Sequence, residues 1–381
     1  MKVAVLGSGL MGSVIAEDLA RSEDVDQVIA CDVDKGRLDA LGRRISSPNL
    51  STQVVDVKDT ERVVRFLRDF DVAVGALPHG FILDADRAAI EAGVNMVDVA
   101  FEDEQMDLDR LAKAKGVALI PGCGLAPGLS NILLAYAARR FSKAEAGHIW
   151  VGGLPRNPKP PLGYRLLFSV HGLLREYLRP ARIVRDGRIT EVQPFDSIDE
   201  IELPEPIGRC EAFYTDGLGT LLYTVRGLRE LDERTIRWRG HGERIKFLKE
   251  AGFFEYSPIR VDDISVSPVK LSAIILEKLL NQGEPDDITV MKIEVSGTID
   301  GRKERITYEL LDFYDKVNGV SSMARTTGYT CSIICRMIAR REIRNSGVVG
   351  PEIALDDNMV RKLLSELLKR GVRVEERRTS E

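Results

Sequence analysis

The first 120 residues alternate short apolar runs with amphipathic stretches. Val3-Ala4-Val5-Leu6 is apolar at four consecutive positions, the pattern of a strand buried on both faces. A helical pattern follows over about residues 11–21. Val28-Ile29-Ala30-Cys31 reads as a second strand ending at Asp32, and Val54-Val55 as a third run ending at Asp56-Val57. A charged helix over about residues 59–68 leads to a fourth run, Asp71-Val72-Ala73-Val74-Gly75-Ala76-Leu77-Pro78. Val94-Asn95-Met96-Val97-Asp98 and Val117-Ala118-Leu119-Ile120 complete the series. Regular β-α alternation of this kind predicts an α/β fold, a doubly wound parallel sheet of Rossmann type with helices on both faces.

The pattern changes after Gly122. A turn of glycines and prolines, residues 121–128, opens a helix reaching about Arg140. Two hairpins are expected beyond it. One joins residues 181–185 to 188–192 through Asp186-Gly187, and the other joins residues 289–295 to 306–311 through Asp300-Gly301. Asp-Gly between alternating strands is a strong hairpin signal. Helical patterns lie at about residues 242–251 and 268–280, and the chain returns to helix from about Ser321. The expected division is a nucleotide-binding domain over 1–125, an α+β substrate and dimerisation domain around an antiparallel sheet over 126–320, and a helical segment over 321–381 packing back on the first domain.

Composition narrows the function. The chain has 381 residues, 44% hydrophobic and 30% charged, ample for two cores. Lys plus Arg total 54 against 59 Asp plus Glu, a formal net charge of -5 that argues against a nucleic-acid binder. No run has the length of a membrane span, and residues 3–18 do not read as a signal peptide. Five cysteines without framework spacing suggest a reducing cytoplasm. Cys331 and Cys335 are one helical turn apart, but no further His or Cys cluster supports a metal, so none is expected. The charge-dense residues 373–381 read as a solvated tail.

Gly7-Ser8-Gly9-Leu10-Met11-Gly12 sits after a strand and at a helix start, where Gly-x-Gly-x-x-Gly binds a dinucleotide. Gly7 permits the tight turn, Gly9 the approach of the pyrophosphate, and Gly12 close helix–strand packing. Asp32 lies 20 residues beyond Gly12 and favours NAD over NADP by accepting from ribose hydroxyls, with Lys35 and Arg37 near enough to temper that preference. Asp56-Val57 is placed to flank the adenine, and Ala76-Leu77-Pro78 the nicotinamide ribose. Ordinary strand-end turns are the competing reading for both.

On these residues the chain resembles the saccharopine dehydrogenase-like family, and within it the lysine 6-dehydrogenase branch. The resemblance covers nearly the whole chain. Its further carriers are Asn95-Met96-Val97-Asp98, the turn 121–128, Glu211-Ala212-Phe213-Tyr214-Thr215-Asp216-Gly217, Thr235-Ile236-Arg237-Trp238-Arg239-Gly240-His241 and Met323-Ala324-Arg325-Thr326-Thr327-Gly328-Tyr329. The resemblance implies oxidative deamination of the lysine ε-amino group with NAD, the semialdehyde cyclising to a piperideine carboxylate. The alternatives are a saccharopine dehydrogenase, a carboxynorspermidine-type C–N oxidoreductase, or a protein that senses nicotinamide nucleotides without turnover. A small amino-acid substrate and a homo-oligomer are expected.

Hydride transfer from a carbon bearing nitrogen needs a free lone pair, and an ε-ammonium must first lose a proton. Asp98, at a strand's carboxyl end, is the first candidate to manage it. Glu102 and Asp103 are nearby alternatives, all three equally readable as helix caps. His241, at a helix start, is the second candidate, read against a histidine packed there for structure. His171 has weaker support, His79 is placed to touch the cofactor, and His148 reads as structural. Tyr214 and Thr215 are candidates to bind the α-carboxylate, and Arg239 and Arg325 to clamp it. Cys123 reads as a small lining residue rather than a nucleophile.

Overall fold

The computed structural model describes residues 1–380. The chain divides into two units, the first made of Met1–Ser142, Leu218–Arg226 and Ala324–Val374, the second of Lys143–Gly217, Gly227–Met323 and the residues from Glu375 on.

The first unit holds a seven-stranded sheet in the order Gly347–Val348, Ala118–Ile120, Asn95–Asp98, Val72–Gly75, Lys2–Leu6, Gln27–Asp32, Leu50–Val54. All six pairings are parallel. The order reverses between Lys2–Leu6 and Val72–Gly75, and open α/β sheets bind ligands at that point, beyond the strands' carboxyl ends. The doubly wound fold is as expected. Its third strand, Leu50–Val54, begins earlier than the apolar run, because this edge strand is largely solvent-facing and carries Ser51, Thr52 and Gln53.

The helix Leu129–Ala138 belongs to this unit, so the unit runs to Ser142 rather than Leu125. Nine of its ten residues are buried, and it packs with Pro351–Ala354 and Asp357–Lys369 from the C-terminal segment. The preceding turn needs Gly128, whose φ is +140°. A Cβ there would lie 2.1 Å from the Gly124 carbonyl oxygen. The long helix Ser322–Ala339 seals the other side. From Ala324 on it belongs to this unit, and it meets the helix Leu10–Ala20 where Gly328 packs on Val14 and Ile15. Arg336 pairs with Asp24 at 2.9 Å.

The second unit is built on a nine-stranded sheet. Its main path runs Ile198–Leu203, Gly208–Tyr214, Glu230–Arg237, Lys143–Pro155, Asp287–Ile299, Arg302–Phe313, Val374–Ser380. Both Asp-Gly hairpins form, with Asp186 at φ 50° and Asp300 at φ 49° as this turn requires. The sheet is mixed rather than antiparallel throughout, since Lys143–Pro155 and Glu230–Arg237 run parallel. The helices Val170–Leu178, His241–Glu250 and Pro268–Leu280 share one core with Phe213. The expected solvated tail is instead a strand. Arg378 pairs with Glu304, and the Tyr308 hydroxyl donates to Glu376 at 3.0 Å. Among the described residues no helix is long and apolar enough to cross a membrane.

Buried Glu352 ties the inserted segment 218–226 into the first unit. It accepts from the Thr220 hydroxyl at 2.9 Å and from the Thr224 hydroxyl, while its backbone carbonyl accepts from Arg139. Glu352→Ala is expected to cost about 1–3 kcal/mol, read as a lower midpoint in urea unfolding, because it strands two hydroxyls. Glu352→Gln keeps an acceptor and is expected to lose less.

Candidate functional site

Local sequence dictates the turn after the first strand. Gly7 has φ +98°, and a Cβ on it would lie 2.3 Å from the Ala76 carbonyl oxygen. A Cβ on Gly12 would lie 1.9 Å from the Gly7 carbonyl oxygen. The two glycines thus let the turn, the helix and Ala76-Leu77-Pro78 close on one another at the switch point. Gly9 differs, since a Cβ there would meet nothing within 4 Å. It caps the helix Leu10–Ala20 with no side-chain bond, leaving first-turn N–H groups for an anion. Crowding at Gly7 and Gly12 with open space at Gly9 fits a dinucleotide pyrophosphate.

Asp32 is held against this turn. Its carboxylate accepts from the Ser8 N–H at 2.8 Å and the Asp34 N–H at 2.9 Å, and the Ser8 hydroxyl donates to the Cys31 carbonyl. The exposed Arg37 guanidinium is 3.9 Å from it. Leu10 is exposed and Met11 half-buried at the helix start. Asp56 is exposed and accepts from the Lys58 N–H, whereas Val57 is buried in the core.

The turn after Val72–Gly75 carries a pair that the sequence left separate. His79 Nδ1 lies 2.7 Å from Glu102 Oε1, and both side chains retain some exposure, His79 33% and Glu102 14%. Glu102 heads a short 3-10 helix, and its N–H donates to Gln105 Oε1 at 2.8 Å. The Gln105 amide then donates to Asp86 at 2.8 Å and Asp98 at 3.1 Å. Spacing of 23 residues between His79 and Glu102 hid the pair; only parallel pairing of the strands Val72–Gly75 and Asn95–Asp98 aligns their following turns.

Asp98 itself does not face the ligand edge. It is 1% exposed, and its Oδ1 lies 1.7 Å from where a Gly75 Cβ would be. Its neighbours are Asp86, on the helix Ile82–Ala92, and Gln105. Burial, then the Asp86 charge, raises the Asp98 carboxyl well above the usual range, and burial pushes Asp86 up to about 6. Both carboxyls are thereby held toward the protonated form. The expectation of an amine-binding Asp98 is therefore corrected to a buried acid pair with Gln105 as its third member.

Cys123 is fully buried below the 121–128 turn, and its thiol donates to the Ile120 carbonyl. Burial raises its pKa well above the ordinary thiol value, so it carries no thiolate. Arg325 donates to the Arg370 carbonyl at 2.6 Å and lies over the Tyr329 ring. That engagement departs from the expected carboxylate clamp.

In the second unit His241 starts the helix His241–Glu250 but is 1% exposed. Its Nδ1 lies 2.9 Å from the Leu162 carbonyl, which can only accept, so Nδ1 carries the proton. Nε2 then accepts from the Tyr177 hydroxyl at 2.8 Å. Burial, then Arg237, pushes the imidazole down to about 3. A neutral ring with both nitrogens engaged positions Tyr177, and the expected proton shuttle is corrected accordingly. Arg239 is a surface residue, 57% exposed and paired with Glu200. The buried arginine of that motif is Arg237, paired with Glu176 at 2.6 Å and stacked 4.5 Å over Tyr164. The Tyr214 hydroxyl accepts from Arg234 at 2.8 Å, and the Thr215 and Thr235 hydroxyls bond at 3.0 Å. Thr215 thus lies within the sheet's own hydrogen bonding rather than at an open turn. His171 is exposed, and His148 bonds Asp232 at 2.8 Å. Glu233 gave no sequence signal: burial pushes its carboxyl up to about 8, and Gly217 is the residue whose missing Cβ makes room for it.

The acid pair gives a signed expectation. Raised folded-state values mean the folded protein holds protons the unfolded chain has released. Stability from the pair is complete below the unfolded carboxyl value of about 4 and is lost as pH rises through Asp86's value of about 6. Asp98→Asn mimics the protonated carboxyl, so its melting temperature should fall less than the wild type's between about pH 5 and pH 8. An unchanged pH profile together with abolished turnover would return Asp98 to a ligand-facing role.

Among the described residues no group of three or more His, Cys, Asp or Glu is arranged to hold a metal. Residues 3–120 match the saccharopine dehydrogenase NADP binding domain, and residues 124–372 the saccharopine dehydrogenase C-terminal domain. Saccharopine dehydrogenase (NADP+, L-glutamate-forming) of Schizosaccharomyces pombe is 24% identical, over 98% of each chain. Carboxyaminopropylagmatine dehydrogenase of Synechocystis is 23% identical, over 95% of each. The apo saccharopine dehydrogenase (L-Glu forming) structure from Saccharomyces cerevisiae superposes with a TM-score of 0.82 at 20% identity, covering 99% of both chains, which shows a common fold. With a dinucleotide turn at the switch point and both domains matched in order, the chain belongs to the saccharopine dehydrogenase family of nicotinamide-nucleotide oxidoreductases.

Proposed function

We propose that this oxidoreductase deaminates the ε-amino group of lysine with NAD. The observation that carries the reading is that four arginines of the second unit, none of them exposed, already hold carboxylates. Arg237 is matched by Glu176, Arg179 and Arg182 by Asp216, and Arg234 by Asp199 and Asp232. Saccharopine brings additional carboxylates that would need such cations, whereas lysine brings one carboxylate and a cationic end. Asp32, held at the dinucleotide turn by two backbone N–H groups, supports NAD because a 2′-phosphate would meet its charge. A reducing cytoplasm belongs to the same reading, all five cysteines being buried thiols.

The bound nicotinamide supplies the hydride acceptor. Gly7 to Gly12, Asp32 and Ala76-Leu77-Pro78 are the residues that would hold the nucleotide. The remaining task is proton handling: the ε-ammonium must lose a proton before hydride leaves, and water must then replace ammonia at the carbon. Overall the ammonium, water and oxidised nucleotide give aldehyde, ammonium ion, reduced nucleotide and one proton. His79, on the turn at the sheet's carboxyl edge, is the base we assign to this work. Glu102 accepts from its Nδ1 and leaves Nε2 to exchange protons.

Saccharopine oxidation is the second reading, favoured by the relatives' names. Following NADH and NADPH absorbance across L-lysine, saccharopine and related diamino acids separates the two. Lysine turnover with NAD is the expected result. Turnover confined to saccharopine would sink the lysine assignment, and nucleotide binding without turnover on any amine would assign a sensor.

His79→Asn tests the base. It is expected to lower kcat/KM by about 100-fold or more. NADH affinity, read by fluorescence, should stay within about twofold; a matching loss of affinity would reduce His79 to a structural role.

A further inference from the structure

One buried acid in the second unit has nothing to offset it. The unit's other buried carboxylates all have donors. Glu211 accepts from the Gly240 N–H at 2.6 Å and from the Gly242 N–H, Asp232 meets His148 and Arg234, and Asp287 accepts from the Ser322 and Met323 N–H groups. Asp312 accepts from the Ser322 hydroxyl, and Glu304 from Arg378. Glu233 is the exception: it is 4% exposed, and its Oε2 has no hydrogen-bond partner. After burial, the charges that act on it most are Glu176, Asp216 and Asp232, all negative. Each of those three is paired with arginine, Glu176 with Arg237, Asp216 with Arg179 and Arg182, and Asp232 with Arg234, whereas no ion pair reaches Glu233 among the described residues. The carboxyl lies against Gly217, which is only partly buried, and a Cβ there would sit 1.8 Å from Oε1. Any other residue at 217 would displace it. On the strand Glu230–Arg237, Glu233 and Thr235 point to one face. The Thr235 hydroxyl bonds that of Thr215 at 3.0 Å, and both oxygens keep lone pairs to accept with.

We propose that Glu233 recognises the α-ammonium of the amino-acid substrate, the cation taking the place of the proton on its carboxyl. The assignment rests on the amine-oxidising reading above. A buried anion without a partner calls for a cation, and the surrounding arginines are held by other acids. An ammonium has only donors to offer, which the carboxylate and the threonine oxygens are able to accept. The chemistry selects the α-nitrogen over the ε-nitrogen. A paired carboxylate holds the proton on an amine, which opposes oxidation at the ε-carbon and suits the α-ammonium, charged throughout the reaction.

Calorimetric titration of the full chain with NADH bound tests this, comparing L-lysine with 6-aminohexanoate, which lacks only the α-ammonium. Lysine is expected to bind about 10- to 100-fold more tightly. It should also expel a proton at pH 7, because it selects the ionised form of a carboxyl that burial pushes up to about 8. Glu233→Gln should bring lysine affinity down to that of 6-aminohexanoate and abolish the proton release, while 6-aminohexanoate and NADH affinities stay within about twofold. Equal affinity of the wild type for the two ligands, or binding of neither, would overturn the proposal without recourse to a variant. So would an equal loss of both ligands in Glu233→Gln. Lysine bound with this selectivity but never oxidised would refute the deamination reading and leave the Glu233 assignment standing.

Discussion

Taking a charge out of water costs several kcal/mol unless a partner or a proton offsets it, and both units are arranged around meeting that requirement. In the first unit Asp86 and Asp98 are buried side by side and are tolerated because burial favours their protonated forms and the Gln105 amide donates to both. Glu352 is tolerated because two threonine hydroxyls and the helix around it supply donors. In the second unit Arg237 is matched by Glu176 and stacked on Tyr164, and its field is one reason His241 stays neutral. Each network fixes local geometry more sharply than apolar packing alone, since an alternative packing would leave a charge unmatched.

The same requirement separates ornament from function among the candidate residues. A group with all its hydrogen-bonding capacity spent inside the fold cannot also exchange protons with a ligand. His241 is spent in this sense, with both ring nitrogens engaged. His79 is not: Glu102 engages one ring nitrogen, and a third of the side chain meets solvent. Asp32 is intermediate, since its backbone partners orient the carboxylate instead of neutralising it.

Much of the fold was legible. The parallel sheet could be read because strands buried on both faces leave uninterrupted apolar runs, and the two Asp-Gly hairpins because few residues accept their backbone angles. Leu50–Val54 and Val374–Ser380 were harder. Edge strands face water, and so have loop-like composition. The dinucleotide turn was legible from glycine spacing set between a strand and a helix start. The pairing of His79 with Glu102 was not, because it depends on which side chains meet across the fold. Asp98 sits at the position a ligand-binding acid would occupy, and only its orientation under Gly75 reveals the difference. Arg237 and Arg239 are two residues apart and equally basic, yet the strand ends between them and only the first is buried.

The first unit is assembled from three separated stretches of chain, the last being Ala324–Val374. Its edge strand Gly347–Val348 and the helix that covers Val14 and Ile15 therefore leave a ribosome well after the strands they complete. An emerging chain holds the nucleotide-binding half with that flank open until more than 300 residues have been made. Closure by such distant segments raises contact order and slows folding. Nucleotide binding, which selects the completed fold, then reports the docking of these distant segments rather than the making of the first strands.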